Sequence, residues 1–159
     1  CNGSRAIIAA DAAPRNATMT NIATPPTEAR MMEMVFPDFT NHMGTLFGGQ
    51  ALAWMDKAAF LAGSRYARTV VVTANSDRID FRLPVKQGAM VELIARVVKV
   101  GRSSMQVEIE MYCEDLLTGV RGLATRGVFT MVALGADGKP TPVPPLPPGT
   151  PGPTEVSKP

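Results

Sequence analysis

Residues 48 to about 66 constrain this chain more than any other stretch, because they read as a helix that is apolar on nearly every side. Ala and Leu abound there, Pro is absent, and only Gln50, Asp56, Lys57 and Arg65 are clearly polar, with Gly63 and Ser64 marking a fraying end. Such a helix must be buried on most sides. Beyond the helix, strand succeeds strand. Residues 69–74 are rich in β-branched side chains, and 79–85 carry Pro84 near their end, as suits a strand terminus. Residues 90–100 and 104–114 form two long strands joined by the turn Gly101-Arg102-Ser103. The second alternates strictly, with Met105, Val107, Ile109, Met111 and Cys113 on one face and Gln106, Glu108, Glu110 and Tyr112 on the other, the mark of a half-buried antiparallel strand. Residues 120–134 supply a last strand and 30–35 a first. Consecutive hairpins predict one antiparallel sheet with the lone helix against its concave face, an α+β architecture.

Composition narrows the partners. A chain of 159 residues closes one core without disulfides or metals. The formal charge of +2, with Lys and Arg scattered, argues against nucleic acid. No apolar run reaches the roughly 18 residues a membrane span needs. Two cysteines, Cys1 and Cys113, fit a reducing cytoplasm better than a disulfide framework, and a sole histidine, His42, with no CxxC pair, argues against a metal site. Residues 1–29, rich in Ala, Thr, Asn and Pro, read as a disordered or non-native segment, leaving residues 30–139 as the folded domain. From Pro140 onward, nine prolines predict an extended, disordered tail.

The chemistry concentrates between Asn41 and Asp56, in the run NHMGTLFGGQALAWMD. A Gly48-Gly49 pair at a helix start admits another molecule close to the first free N–H groups, where the positive end of the helix dipole can polarise a carbonyl or hold an oxyanion. Asp56 stands eight residues further on among Ala, Leu, Trp, Met and Phe. A carboxylate in such company is a structural partner of Lys57 or a nearby Arg, or it is catalytic; the second reading is adopted. Asn41 suits either a turn or the holding of a water or carbonyl through its amide.

This segment resembles the signature of the hotdog-fold acyl-CoA thioesterases, the acyl-CoA hydrolase family: an Asn-x-x-Gly-x-x-x-Gly-Gly loop opening a central helix that carries Met-Asp or Met-Glu, here Asn41, Gly44, Gly48, Gly49, Met55 and Asp56. Residues 79–85 and 99–104 also fit, so the resemblance covers roughly residues 31–144. It implies a hotdog fold, one long central helix wrapped by a curved antiparallel sheet, and hydrolysis of acyl-CoA to free acid and coenzyme A without a cofactor. Asp56 would then be general base or nucleophile, the Gly48 and Gly49 N–H groups the oxyanion donors, and Asn41 a further catalytic group. Substrate contacts would come from Thr45 and Phe47 in the loop, from Arg82, and from the turn Arg102-Ser103-Ser104 near the nucleotide. Some relatives carry Asp or Asn at the position of Thr45, which leaves the role of that residue open. The acyl chain would lie along Ala58, Ala59 and Ala62, with Trp54, Phe60 and Tyr66 in the core.

Two rival functions share the fold. An acyl-thioester hydratase or dehydratase needs a His paired with an acid, and His42 precedes Asp56 by fourteen residues outside the helix. A non-catalytic acyl-CoA sensor would keep the pocket but need not keep the carboxylate. Assembly is also predicted. Eight residues of helix put Asp56 roughly 12 Å from its own Gly48 donors, so a two-fold partner with an antiparallel helix is needed to complete each site. Dimers, or tetramers and hexamers built from them, are the expected states.

Overall fold

The computed structural model describes residues 24–154. Strand β1 (Glu28–Met34) leads through a short 3-10 turn (Pro37–Phe39) and a loop to helix α1 (Gly48–Ala67), followed by strands β2 (Val70–Phe81), β3 (Met90–Val100), β4 (Ser104–Glu114) and β5 (Arg121–Leu134). All pairings are antiparallel, in the order β1-β3-β4-β5-β2. Helix α1, the single α-helix among the described residues, touches every strand. This is the hotdog arrangement that the pattern of one apolar helix and successive strands predicts.

Alternation along the strands builds the core. Met105, Val107, Ile109 and Met111 of β4 and Val91, Leu93, Ala95 and Val97 of β3 meet Met55, Ala58, Ala59, Ala62 and Tyr66 of the helix. The small helical residues let α1 approach the sheet closely: Gly63 packs so near Met105, Val71 and Met131 that an added Cβ would lie 3.5 Å from the first two. Ala58, Ala59 and Ala62 are therefore covered by packing within the chain, each at most 1% exposed. Trp54 and Tyr66 are core as expected; Phe60 is not, standing 44% exposed.

The opposite side of α1 departs from expectation. Leu52, Phe60 and Leu61 remain exposed in the single chain, as do Val70 and Val72 on the neighbouring edge strand β2. One copy thus buries only one side of a helix whose composition calls for more.

Two boundaries also differ. Residues 69–74 and 79–85 do not form separate strands: β2 runs unbroken from Val70 to Phe81, and residues 82–85 form a connecting loop. The polar run Asn75-Ser76-Asp77-Arg78 resembles a turn in sequence, but it lies in an edge strand with register shifts at Thr73/Asn75 and Asp77/Asp80, where polar side chains face solvent. Arg78 takes a left-handed φ of 48° in the second irregularity.

At the ends, β1 already begins at Glu28, and residues 1–23 lie outside the described residues. Residues 141–154 form neither helix nor strand, in keeping with their prolines, yet they are fastened to the domain rather than free. Val143 N–H donates to the Arg102 carbonyl, the buried Tyr66 hydroxyl donates to the Pro144 carbonyl at 2.8 Å, and Leu146 packs against the core. Thr154 then spans the Glu108–Arg126 ion pair on the outer face of the sheet, its N–H on Glu108 and its carbonyl accepting from Arg126.

Candidate active site

The loop before α1 is built by Asn41. Its Oδ1 accepts from the Met43 N–H at 2.9 Å and from the N–H and hydroxyl of Thr45, while its carbonyl accepts from Gly44 N–H. Gly44 sits at φ 69°, a conformation that costs a side-chain-bearing residue strain. The turn reading of Asn41 therefore describes its oxygen, and its amide N–H groups are left to point elsewhere. Thr45 is a supporting partner of Asn41 in this geometry.

The loop delivers Phe47 as the residue capping α1. Phe offers no side-chain acceptor, no cap hydrogen bond forms, and the first turn has no acidic residue. Gln50 and Ala51 N–H groups return to the Phe47 carbonyl, whereas the Gly48 and Gly49 N–H groups have no acceptor among the described residues. The positive helix end is left open to an anionic or carbonyl oxygen. Phe47 also folds back on the pair: a Cβ on Gly49 would lie 2.8 Å from its ring, while one on Gly48 would make only ordinary contact with Phe81.

Two helical turns on, Asp56 is half-buried on the side of α1 that faces β2. Its Oδ1 accepts a hydrogen bond from the Thr73 hydroxyl at 2.6 Å. It forms no ion pair among the described residues; Lys57, the structural partner considered for it, approaches Glu33 at 3.9 Å instead. The carboxylate is thus held by a hydroxyl, with no cation paired to it among the described residues. Thr73 thereby joins the candidate site, and sequence reading missed it. In a run of β-branched residues it is indistinguishable from an ordinary strand former, and only the packing of β2 beside α1 brings it to Asp56.

The remaining candidates fall into two places. Arg82 lies near the helix start, in the loop after β2, beside an apolar pocket. Arg102, Ser103 and Ser104 form the β3–β4 turn, closed by Gly101 N–H to Ser104 carbonyl at 2.8 Å and fixed to β5 by Ala133 N–H on the Ser103 carbonyl. That turn lies beyond the other end of α1, because Leu134 beside it pairs with Val70, just after the helix stops. One chain therefore separates Gly48, Gly49, Asn41 and Arg82 from Asp56, Thr73 and the Arg102 turn. His42 is exposed and makes no hydrogen bond or ion pair with a carboxylate of its own chain among the described residues. No cluster of three or more His, Cys, Asp or Glu side chains that would suit a metal occurs among the described residues, and no helix there is long and apolar enough to cross a membrane.

A single helix on a five-stranded antiparallel sheet, with open donors at its start and a lone carboxylate two turns along it, defines a hotdog-fold thioester-processing protein. The sequence profile of the thioesterase superfamily matches residues 43–120. An uncharacterised acyl-CoA thioester hydrolase of Bacillus subtilis is 43% identical over 73% of this chain and 67% of its own. Among solved structures, an apo hexameric acyl-CoA thioesterase superposes with a TM-score of 0.76 at 41% identity, covering 78% of this chain and 80% of that one. An acyl-CoA hydrolase from Staphylococcus aureus, solved with butyryl-coenzyme A, coenzyme A and coenzyme A disulfide, gives 0.72 at 36% identity over 75% and 73%. Alanine variants of that hydrolase at an asparagine, an aspartate and a threonine have been solved, and the same two intervals along the chain separate Asn41, Asp56 and Thr73 here. The chain belongs to the acyl-CoA thioester hydrolases of the thioesterase superfamily.

Proposed function

We propose that this chain hydrolyses acyl-CoA to free acid and coenzyme A, using no metal or organic cofactor, at sites that two subunits share. The observation that carries this reading is the separation of Asp56 from the unpartnered Gly48 and Gly49 N–H groups, roughly 12 Å along one helix, far beyond the reach of a carboxylate side chain. A second copy with its α1 antiparallel brings its own Asp56 to this helix start. The exposed Leu52, Phe60 and Leu61 of α1 and the free edge of β2 supply the surface for that contact.

In the joined site the thioester oxygen accepts from the Gly48 and Gly49 N–H groups of one subunit. Asp56 of the other takes a proton from water as that water attacks the carbonyl carbon; the tetrahedral intermediate then collapses, breaking the C–S bond, and the leaving thiolate regains the proton. Direct attack by the carboxylate, giving a mixed anhydride that water later opens, uses the same geometry. Thr73 fixes the Asp56 rotamer, and the Asn41 amide N–H groups supply a further donor beside the helix start. The coenzyme tail runs away from the carbonyl toward the Arg102-Ser103-Ser104 turn, which lies beyond the C-terminal end of its own α1, where a guanidinium and hydroxyls suit phosphate.

Complementation tests the shared site. Gly48→Pro removes one donor at the first helical position, which tolerates Pro, and Phe47 already has the extended backbone (φ −66°, ψ 129°) that a following Pro requires. Asp56→Asn removes the base. Each variant alone should lose activity, and an equal mixture after subunit exchange should recover roughly a quarter of the wild-type rate, because half the dimers are mixed and each has one intact site. A mixture that stays inactive although both variants fold and exchange rejects the shared site. Failure of the wild-type protein to release thiol from a broad acyl-CoA panel leaves binding without catalysis as the function.

A further inference from the structure

The geometry points to the pocket beside the helix start as the acyl-chain site, and to Met111 as the side chain that limits the length of chain it accepts. This inference rests on the reading that the thioester carbonyl sits at the Gly48 and Gly49 N–H groups.

The pocket has a volume of about 290 Å³ and opens immediately next to those donors. Leu46, two residues before Gly48, and Ala51, in the first turn of α1, form one wall, and Val85 from the loop after β2 forms another. Phe81, 56% exposed, stands at the rim, where its ring approaches Gly48. The floor is the inner face of the sheet: Met111 of β4 and Thr125 of β5, paired across the ladder and each 1% exposed. The lining is apolar apart from Arg82 at the open side and the Thr125 hydroxyl.

An acyl chain leaving a carbonyl at the helix start meets this pocket first. The Ala58–Ala62 surface further along α1 is packed shut and offers no alternative on this chain. A dry cavity of about 150 Å³ accepts a six-carbon ring, so a partly open pocket of roughly twice that size accommodates chains up to about ten carbons. Longer chains must displace Met111. Because a methionine side chain is unbranched and adaptable, the limit is graded rather than abrupt.

The test is the chain-length profile of kcat/KM over saturated acyl-CoA thioesters from two to sixteen carbons. For the wild-type enzyme the profile should rise to a maximum at or below about ten carbons and fall at least tenfold by sixteen. Met111→Ala should move the maximum to longer chains by about two to four carbons. Ala51→Leu fills the pocket instead of emptying it, so it supplies the opposite shift, toward short chains, without leaving a cavity in the core, and it keeps the test decisive where Met111→Ala fails to fold. A wild-type maximum at sixteen carbons, or an unchanged profile in folded Ala51→Leu or Met111→Ala, overturns the pocket assignment while leaving hydrolysis at Asp56 intact. Absence of thiol release from every chain length by the wild-type enzyme overturns the catalytic reading and this inference with it.

Discussion

Thr73 contributes one hydroxyl to Asp56, and under the proposed mechanism that contact holds the base in position. A hydrogen bond to a charged group is worth about 1.5–3 kcal/mol, so Thr73→Val, which keeps shape and removes the donor, should lower kcat by roughly ten- to a hundredfold. The thermal midpoint should move little, since Thr73 lies in a solvent-exposed strand. Steady-state kinetics and a melting curve on the same sample check both halves; an unchanged kcat removes Thr73 from the site. Asp56→Asn should cost about a hundredfold or more in kcat, the scale of a lost general base. At this scale the sequence is legible wherever a residue contradicts its surroundings. Asp56 contradicts an apolar helix, and the Gly pair contradicts helix propensity. Thr73 contradicts nothing in a β-branched run, and its meaning comes wholly from a neighbour seventeen positions away. Asn41 is legible by type, but its division of labour, oxygen to the loop and amide N–H groups elsewhere, depends on the fold of residues 41–45.

Among elements, the outer face of the sheet is held by charges rather than apolar packing. Glu92 of β3 is nearly buried between Arg121 and Arg30, and hydrogen bonds from Arg121 first and Arg30 second hold its carboxyl below the usual carboxylate range. Since the folded-state pKa lies below the unfolded one, the resulting stabilisation is complete above the unfolded value and is lost as pH falls through the folded one. Glu92→Gln should therefore lower the melting temperature at pH 7 and lower it much less at pH 3; differential scanning calorimetry at the two pH values reads the narrowing gap, and a constant gap rejects the assignment. The segment after β5 is a second element whose role lies in tertiary contact. Desolvation raises the Tyr66 pKa, keeping the phenol protonated as the donor to Pro144. Strand β4 is legible because strict alternation runs along it, and the Gly101-Arg102-Ser103 turn marks where β3 stops and β4 starts. The continuity of β2 is not, since its polar middle reads like a turn, and only an edge position makes that polarity acceptable. Proline counts announce the lack of regular structure after Pro140, but not that a tyrosine at the end of a distant helix anchors it.

For the whole molecule, the decisive quantity is the apolar surface that one copy leaves uncovered. Phe60 at 44% and Val72 at 42% exposure lie on the α1 and β2 surfaces expected to meet a partner. Phe60→Asp should place an unpaired charge in that contact, shift the protein toward monomer and, under the proposed shared site, lower activity in proportion. Sedimentation velocity alongside kinetics tests this; a fully active monomer would reject it. The proposed partner rests, in sequence, on a helix too apolar for one copy and on the distance between Asp56 and the Gly48 and Gly49 N–H groups. The angle and stoichiometry of the assembly depend on surface shape, which no periodicity encodes.

The strand order has a consequence for the growing polypeptide. β2 comes directly after the helix, but among the described residues its only sheet partner is β5: Val70 pairs with Leu134 and Phe81 with Thr125. During synthesis, β2 leaves the ribosome with both edges open and waits while β3, β4 and then β5 are made. Its bulges and polar middle are thus an asset in time as well as space, since a flatter, more apolar strand would invite pairing with the nascent chain next to it on the same message.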